Sequence, residues 1–226
     1  MVPHLSIVMP VLNEAANLPG TLLALAPCTA RGAQLIVVDG GSTDSTVALA
    51  HAAGATVVNG PRGRALQLNA GAQQASGEVL VFLHADTQLP ADADRLIARA
   101  LKSHAAVWGR FDVCISGHSK MLPVVAAFMN LRSRWSGIAT GDQAMFMTRA
   151  AFDAVGGFPA QPLMEDIEIS RRLRQISRPA CLRAKAVTSG RRWETRGVWR
   201  TILLMWRLRF AYWRGVAPVH LAELYK

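Results

Sequence analysis

Residues 79–83, Val-Leu-Val-Phe-Leu, are an unbroken apolar run that ends in His84-Ala85-Asp86. Such a run fits a parallel strand buried on both faces. It delivers an imidazole and a carboxylate at its carboxyl end, two positions apart and therefore on one face of an extended chain. Ligands of open α/β sheets bind outside that end. A metal-bridged phosphate is the group that such a pair suits.

Two earlier strand exits also carry polar groups. The run Leu35-Ile36-Val37-Val38 passes into Asp39-Gly40-Gly41-Ser42-Thr43-Asp44, and the first strand leaves through Pro10-Val11-Leu12-Asn13-Glu14. Asp39 follows four apolar residues, where a carboxylate costs desolvation unless it meets a partner such as nucleoside hydroxyls or ring N–H groups. The two glycines allow a tight turn close to a ligand, while Ser42 or Thr43 would equally cap the next helix. Pro10 to Glu14 reads as well as an ordinary strand exit. Arg62-Gly63-Arg64 precedes a helix and suits either phosphate or solvent. Glu165-Asp166 opens a helix, a place where acids are favoured by the macrodipole alone. Gly141-Asp142-Gln143 reads as a turn, and Arg191-Arg192-Trp193 as a basic patch with a snorkelling ring.

These groups need a scaffold. Period and punctuation predict strands over residues 5–9, 35–38, 55–58 and 79–83, with helices over 17–26, 44–53, 64–75 and 91–101 between and after them. That alternation implies an α/β fold with a mostly parallel central sheet flanked by helices. The second half is less regular. Strands are expected over 107–115 and 143–147, and helices over 120–134 and 165–175. No repeat or long linker divides the chain, so residues 1–226 are expected to form a single domain. A regular half over about 1–104 and a less regular one over about 105–195 would be followed by a basic aromatic helix over about 196–214.

With 226 residues, 51% of them hydrophobic, the chain can bury roughly 70% of its unfolded surface and needs no disulfide or metal staple. Cys28, Cys114 and Cys181 are odd in number and widely spaced, which predicts reduced thiols rather than a disulfide frame or a zinc site. Met1 leads through Pro3 into the first strand without a basic leader or cleavage site, so a cytoplasmic protein is expected.

The net charge of +10 is concentrated late, where Arg183, Lys185, Arg191, Arg192, Arg196, Arg200, Arg207, Arg209 and Arg214 face only Glu194. Such a segment suits a diphosphate substrate, an anionic membrane or nucleic acid. Trp193, Trp199, Trp206, Phe210, Tyr212 and Trp213 interleave with those arginines, the composition of an interfacial amphipathic helix. Peripheral contact with the inner membrane face is therefore expected, and nucleic acid is not. The segment is too short and too charged to span a bilayer.

There is no P-loop, no dinucleotide-binding glycine turn after the first strand and no nucleophile elbow of a serine hydrolase. In order, Pro10-x-x-Asn13-Glu14, Asp39-Gly40-Gly41-Ser42-Thr43-Asp44, Asn69-Ala70-Gly71, His84-Ala85-Asp86, Gly141-Asp142-Gln143, Glu165-Asp166 and Arg192-Trp193 resemble the motif series of glycosyltransferase family 2. Residues 82–87 and 191–194 further resemble its radical-SAM/selenodomain-associated branch.

That resemblance implies a single glycosyltransferase-A-type domain, with a nucleotide-binding half over about 1–104, an acceptor half over about 105–195 and a C-terminal amphipathic segment, and inverting transfer from a nucleotide-diphosphate sugar, with UDP-sugar preferred, to a hydroxyl acceptor. It implies that Pro10, Asn13, Glu14, Asp39, Gly41, Arg64 and Ala85 surround the nucleotide. Asp86, with His84 in place of the usual first aspartate, would hold Mn²⁺ or Mg²⁺ together with the diphosphate. Asp166, beside Glu165, would match the general base, and Arg192 and Trp193 the closing motif near the donor phosphates and acceptor. Ser189 replaces the glutamine of Gln-x-x-Arg-Trp, which points to transfer of single sugars. Two rival functions remain: a nucleotidyltransferase acting on a sugar phosphate, and a non-enzymatic basic membrane-binding module. The first would release pyrophosphate, and the second would bind in a salt-dependent manner without metal.

Overall fold

The computed structural model describes residues 4–103 and 106–225. Eight strands form one sheet in the order β3-β2-β1-β4-β7-β6-β8-β5. These are β1 (Leu5–Val11), β2 (Gln34–Asp39), β3 (Thr56–Asn59), β4 (Val79–Phe82), β5 (Thr87–Gln88), β6 (Trp108–Ser116), β7 (Met145–Thr148) and β8 (Ala180–Ser189). β1 pairs in parallel with both β2 and β4, and β2 with β3. β7 runs antiparallel to β4 and β6, whereas β6 and β8 are parallel. The α/β sheet, mostly parallel and flanked by helices, agrees with the expectation.

Alternation along the central strands divides the core between the two faces of the sheet. Ile7, Met9, Val11, Val37, Val79 and Val81 join one cluster, with Leu18, Leu25 and Cys28 of α1 (Leu18–Ala30) and Ile97 of α4 (Ala93–Ser103). Val8, Ile36, Val38, Leu80 and Phe82 join the other, with Leu68 of α3 (Arg64–Gln74), Phe152 of α6 (Arg149–Ala154) and Ile169 of α7 (Glu165–Ile176). A strand covered on both faces must be apolar throughout, which is why these strands read as continuous runs. α2 (Thr46–Ala52) connects β2 to β3. Cys28 is buried, and all three cysteines are free thiols.

β1 lies between β2 and β4, so the strand order reverses there and a crevice opens above the carboxyl ends of β1, β2 and β4. α5 (Leu122–Ser136) ends at Gly137, whose φ of 67° is left-handed. A 3₁₀ turn, Gly141–Gln143, follows and leads into β7.

Five elements depart from expectation, one of them α6, where no helix is expected. β8 passes through residues that read as the start of the basic segment; Arg183 and Lys185 alternate there with Leu182, Ala184 and Ala186, the two-residue period of a strand. β5, the two-residue partner of β8, follows Asp86 directly. The helix expected over about 196–214 is preceded by a short α8 (Arg191–Arg196), and Gly197, with φ 83°, separates it from α9 (Val198–Trp213). A final helix, α10 (Pro218–Tyr225), packs against α9 through Leu221. No helix among the described residues is long and apolar enough to cross a membrane.

Candidate active site

The loop after β1 and the loop after β2 are knitted together. Ser42 Oγ accepts from Asn13 N at 2.8 Å, Asn13 Oδ1 accepts from Thr43 N at 2.8 Å, and Thr46 Oγ1 accepts from Glu14 N at 2.8 Å. Asn13 reaches this geometry with φ 53°, a left-handed backbone that asparagine tolerates better than most residues. The Glu14 carboxylate accepts from Asn17 Nδ2 at 2.6 Å. Asp39 is buried, and its carboxylate accepts from Gly41 N and Ser42 N at 3.0 Å. In this conformation Asp39 shapes its own turn. Pro10 pairs with Val38 within the sheet. Beneath both loops, Gln67 donates to Val11 O at 2.9 Å and Val38 O at 2.8 Å. Gln67 sat unnoticed inside an Ala/Leu-rich helical stretch.

Beyond β4, the chain turns through His84-Ala85-Asp86. Ala85 O is held by Thr21 Oγ1 at 2.7 Å. Asp86 O accepts from Ser189 N at 3.2 Å, so the segment lies beside the entrance to α8. The Asp86 carboxylate is half-buried and has no hydrogen-bond or ion-pair partner among the described residues.

His84 points a different way. Its Nδ1 is 3.3 Å from Asp142 Oδ1, and its Nε2 edge rests on Gly141. The imidazole is thus held against the 3₁₀ turn, through Nδ1 by Asp142 and by van der Waals contact with Gly141. Desolvation pushes the Asp142 carboxyl up, but the hydrogen bond and charge of His84, with Arg64 and Arg192, outweigh it and hold the pKa below the usual range.

The same turn reaches the helical acids, for Gly141 N donates to Asp166 Oδ2 at 3.0 Å. Met164, with φ 67°, provides the left-handed step that starts α7 and presents Glu165 and Asp166 together. A non-glycine residue held there stores strain that the surroundings must outweigh. Ala144, directly after the turn, is also left-handed with φ 47°. Glu165 is buried and pairs with Arg64 at 3.3 Å. Burial first, and the charge of Asp166 next, raise the Glu165 pKa against the pull of Arg64. Burial lowers the Arg64 pKa less than Glu165, Asp166 and Asp142 raise it.

Arg64, Leu68, Phe82, His84, Gly141, Glu165 and Asp166 accordingly line one cleft. Arg192 lies near its rim, stacked over the Tyr225 ring at 3.8 Å. Burial, then repulsion from Arg196 and Arg64, lowers its pKa against the charge of Asp142. Trp193, partly buried, packs on the cluster of Val113, Ile115 and Leu122. A larger groove of about 900 Å³, lined by Glu78, Arg95, Arg99, Lys102, Arg149 and Asp153, lies at the opposite end of β4, away from this chemistry.

Among the described residues no group of three or more His, Cys, Asp or Glu side chains is arranged to hold a metal ion. An all-protein cage is therefore not built. The unpartnered Asp86 carboxylate fits the other common arrangement, in which Mg²⁺ or Mn²⁺ takes one or two carboxylates and completes its shell with substrate phosphates and water.

Known proteins place the chain in context. An uncharacterised glycosyltransferase of Mycobacterium bovis is 36% identical over 107 residues, 46% of this chain and 47% of its own length. The undecaprenyl-phosphate 4-deoxy-4-formamido-L-arabinose transferase of Pseudomonas paraeruginosa is 33% identical over 114 residues, 45% of this chain and 34% of its own length. The matched part thus spans half or less of these curated relatives.

Solved structures share the fold at lower identity. S. aureus TarS 1-349 in complex with UDP superposes with a TM-score of 0.67 at 18% identity, covering 82% of this chain and 60% of that one. The mannosyltransferase PcManGT of Pyrobaculum calidifontis, in complex with GDP-Man and Mn²⁺, gives 0.63 at 21% identity, covering 93% and 61%. The glucosyl-3-phosphoglycerate synthase of Mycobacterium tuberculosis, in complex with Mn²⁺, UDP and glucosyl-3-phosphoglycerate, gives 0.60 at 20% identity, covering 82% and 71%. The family model described as Glycosyl transferase family 2 matches residues 6–157, more than half of the chain, and the chain belongs to that family.

Proposed function

We propose that this protein transfers a sugar from a nucleotide-diphosphate donor, with UDP-sugar preferred, to a hydroxyl acceptor with inversion at the anomeric carbon, residues 1–226 acting as one catalytic unit. The observation that carries this reading is the convergence of Arg64, His84, Asp142, Glu165 and Asp166, from four distant segments, on one cleft outside the carboxyl ends of β1 and β4. Three matched structures hold UDP, or GDP-Man or UDP with Mn²⁺, which supports a nucleotide donor. The narrower selenodomain-associated branch fits residues 82–87 and 191–194.

The nucleoside would lie over the loops of Asn13-Glu14 and Asp39-Gly41, with Pro10 and Ala85 beneath it. Asp86 would hold a divalent cation, which supplies Lewis-acid stabilisation of the leaving diphosphate. Arg64 and Arg192 add fixed positive charge where the phosphate oxygens become more negative. On the opposite face of the sugar, Asp166 takes the acceptor hydroxyl's proton as that oxygen bonds to the anomeric carbon and the carbon–phosphate oxygen bond breaks. The Gly141 N–H holds Asp166 Oδ2 at 3.0 Å and the Ile167 N–H holds Oδ1 at 2.8 Å, which fixes the carboxylate while each oxygen keeps a second lone pair for the proton. His84 orients Asp142, and Trp193 anchors the segment that carries Arg192.

A second set of features supports work at an anionic membrane surface on the cytoplasmic side. Trp199, Leu203, Trp206, Phe210 and Trp213 of α9 are all exposed at alternating four- and three-residue spacing, one face of a helix. Val124, Phe128, Leu131 and Trp135 of α5 repeat that spacing, and Trp135 is 86% exposed. The two helices meet through Val125 and Met129 on one side and Val198 and Ile202 on the other. Exposed Arg200, Arg207 and Arg214 accompany these rings, the pairing that interfacial helices use with anionic lipid.

The test is to incubate the protein with a panel of nucleotide sugars and Mn²⁺ and to assay the released nucleotide. Free UDP released with a transferred sugar of inverted configuration is expected. Release of pyrophosphate from a nucleoside triphosphate would support the nucleotidyltransferase rival instead.

A further inference from the structure

Two arginines outside the donor side of the cleft sit on helices tied to the segment that carries Asp166 and feel its charge. Arg132 belongs to α5, which is tied to the 3₁₀ turn by Gln143 Nε2 donating to Asn130 Oδ1 at 3.2 Å, and that turn holds Asp166. Just beyond α5, Ala139 N donates to Ser170 Oγ of α7 at 3.1 Å. Arg209 belongs to α9, whose fully buried Leu208 packs with Leu163 and Met164, the two residues before Glu165. The two helices are thus anchored on either side of the Asp166 segment, and the charge of Asp166 acts on both guanidinium groups. Neither forms an ion pair with it.

Their electrostatic situation is unfavourable. Nη2 of Arg132 is buried with no hydrogen-bond partner among the described residues. Burial, joined by the like charge of Arg209, pushes Arg132 down to about 9 although Asp166 pulls the other way. Arg209 is likewise lowered by burial against Asp166. A buried unpaired N–H of a charged group is costly, and an arginine keeps its proton and needs a counter-charge. The second pair, Arg64 and Arg192, is differently placed, since both act on Asp142.

We propose that Arg132 and Arg209 form an anion subsite beside Asp166 that holds a phosphate group carried by the acceptor, apart from the hydroxyl that Asp166 deprotonates. Planar guanidinium forks match phosphate oxygens in bidentate fashion, and two of them from separate helices would fix both its place and its orientation. The inference rests on the glycosyl-transfer reading. It narrows the acceptor to an anionic alcohol, either water-soluble or delivered from lipid along the apolar faces of α5 and α9.

The test is thermal melting with inorganic phosphate titrated in saturating UDP and Mg²⁺, so that the donor side is filled. Phosphate is expected to raise the melting temperature of the wild type saturably, and the R132Q/R209Q variant should need about tenfold or more phosphate for the same rise. R132K/R209K should recover part of the response. An equal phosphate response in wild type and R132Q/R209Q overturns the subsite. If UDP stabilises neither protein, the donor reading fails instead. R209Q alone gives the same readout if the double variant does not fold. Vesicles of phosphatidylcholine with and without phosphatidic acid separate the sources. Binding weakened in R132Q/R209Q, with Arg200, Arg207 and Arg214 intact, indicates a lipid phosphate, and equal vesicle binding beside lost phosphate protection indicates a soluble one.

Discussion

A β-carbon added to Gly141 would stand 2.3 Å from Nε2 of His84, so the imidazole lies directly on the α-carbon of the glycine. The contact leaves no room for any other residue, and the amide of that same glycine holds Asp166. G141A is therefore expected to displace His84 and the Asp166 oxygen together. Because misplacing a reacting group by about 1 Å costs on the order of 10²-fold in rate, kcat should fall by about that factor. Steady-state kinetics beside a thermal melt checks this, and unchanged kcat would refute it.

Asp86 offers a cleaner separation of binding from folding. Its carboxylate has no partner among the described residues, so D86N should leave the melting temperature of the free protein unchanged within a degree or so. The same variant should lose the extra stabilisation that Mn²⁺ confers in the presence of UDP. Turnover should drop on the order of 10³-fold, since a metal contributes several kcal/mol to the departing phosphate. Calorimetric titration of UDP with and without Mn²⁺ reads the first effect directly.

Glu165 sets a dependence on pH. Its pKa is raised in the folded protein by burial and by Asp166. The native state then keeps a proton that the unfolded chain has already lost, so stability declines as pH rises from the ordinary glutamate value through the raised one. E165Q removes that titration and should flatten the decline. Melting curves across the acidic-to-neutral range, compared between the two proteins, measure it.

Gln67 is a structural keystone beneath the loops after β1 and β2. Q67A would leave Val11 O and Val38 O without their donor and open a small void, which costs about 2 kcal/mol or more. A melting temperature lower by several degrees is expected. Nucleotide affinity should fall as well, because both loops rest on this side chain.

Much of the donor half was readable because burial imposes a simple code on it. A strand covered on both faces has no freedom to be polar until it leaves the core, so His84, Asp39 and Asn13 stood out as the first polar groups after apolar runs. Other parts obey rules that local pattern does not express. β8 was hidden because Arg183 and Lys185 were counted as charge, although their alternation with Leu182, Ala184 and Ala186 was visible. Arg132 and Arg209 looked like surface arginines of amphipathic helices; only the approach of α5 and α9 to α7 gives them a shared neighbour. Asp142 read as part of a turn, and no spacing rule links it to His84, 58 positions earlier. The motif marks the histidine as a candidate ligand, whereas its contacts with Asp142 and Gly141 come from tertiary packing that no motif encodes.

The position of β8 has a temporal consequence. It runs between β6 and β5, and Thr87 is hydrogen-bonded to Thr188 across 101 positions of chain. During synthesis the donor-side strands can zip up early, since their partners are close in sequence. The Asp86 segment cannot: its flank stays open until residue 189 has left the ribosome. A nascent chain would thus hold a nucleotide platform well before it holds a working enzyme, and the last quarter of the polypeptide acts as a built-in delay on catalysis.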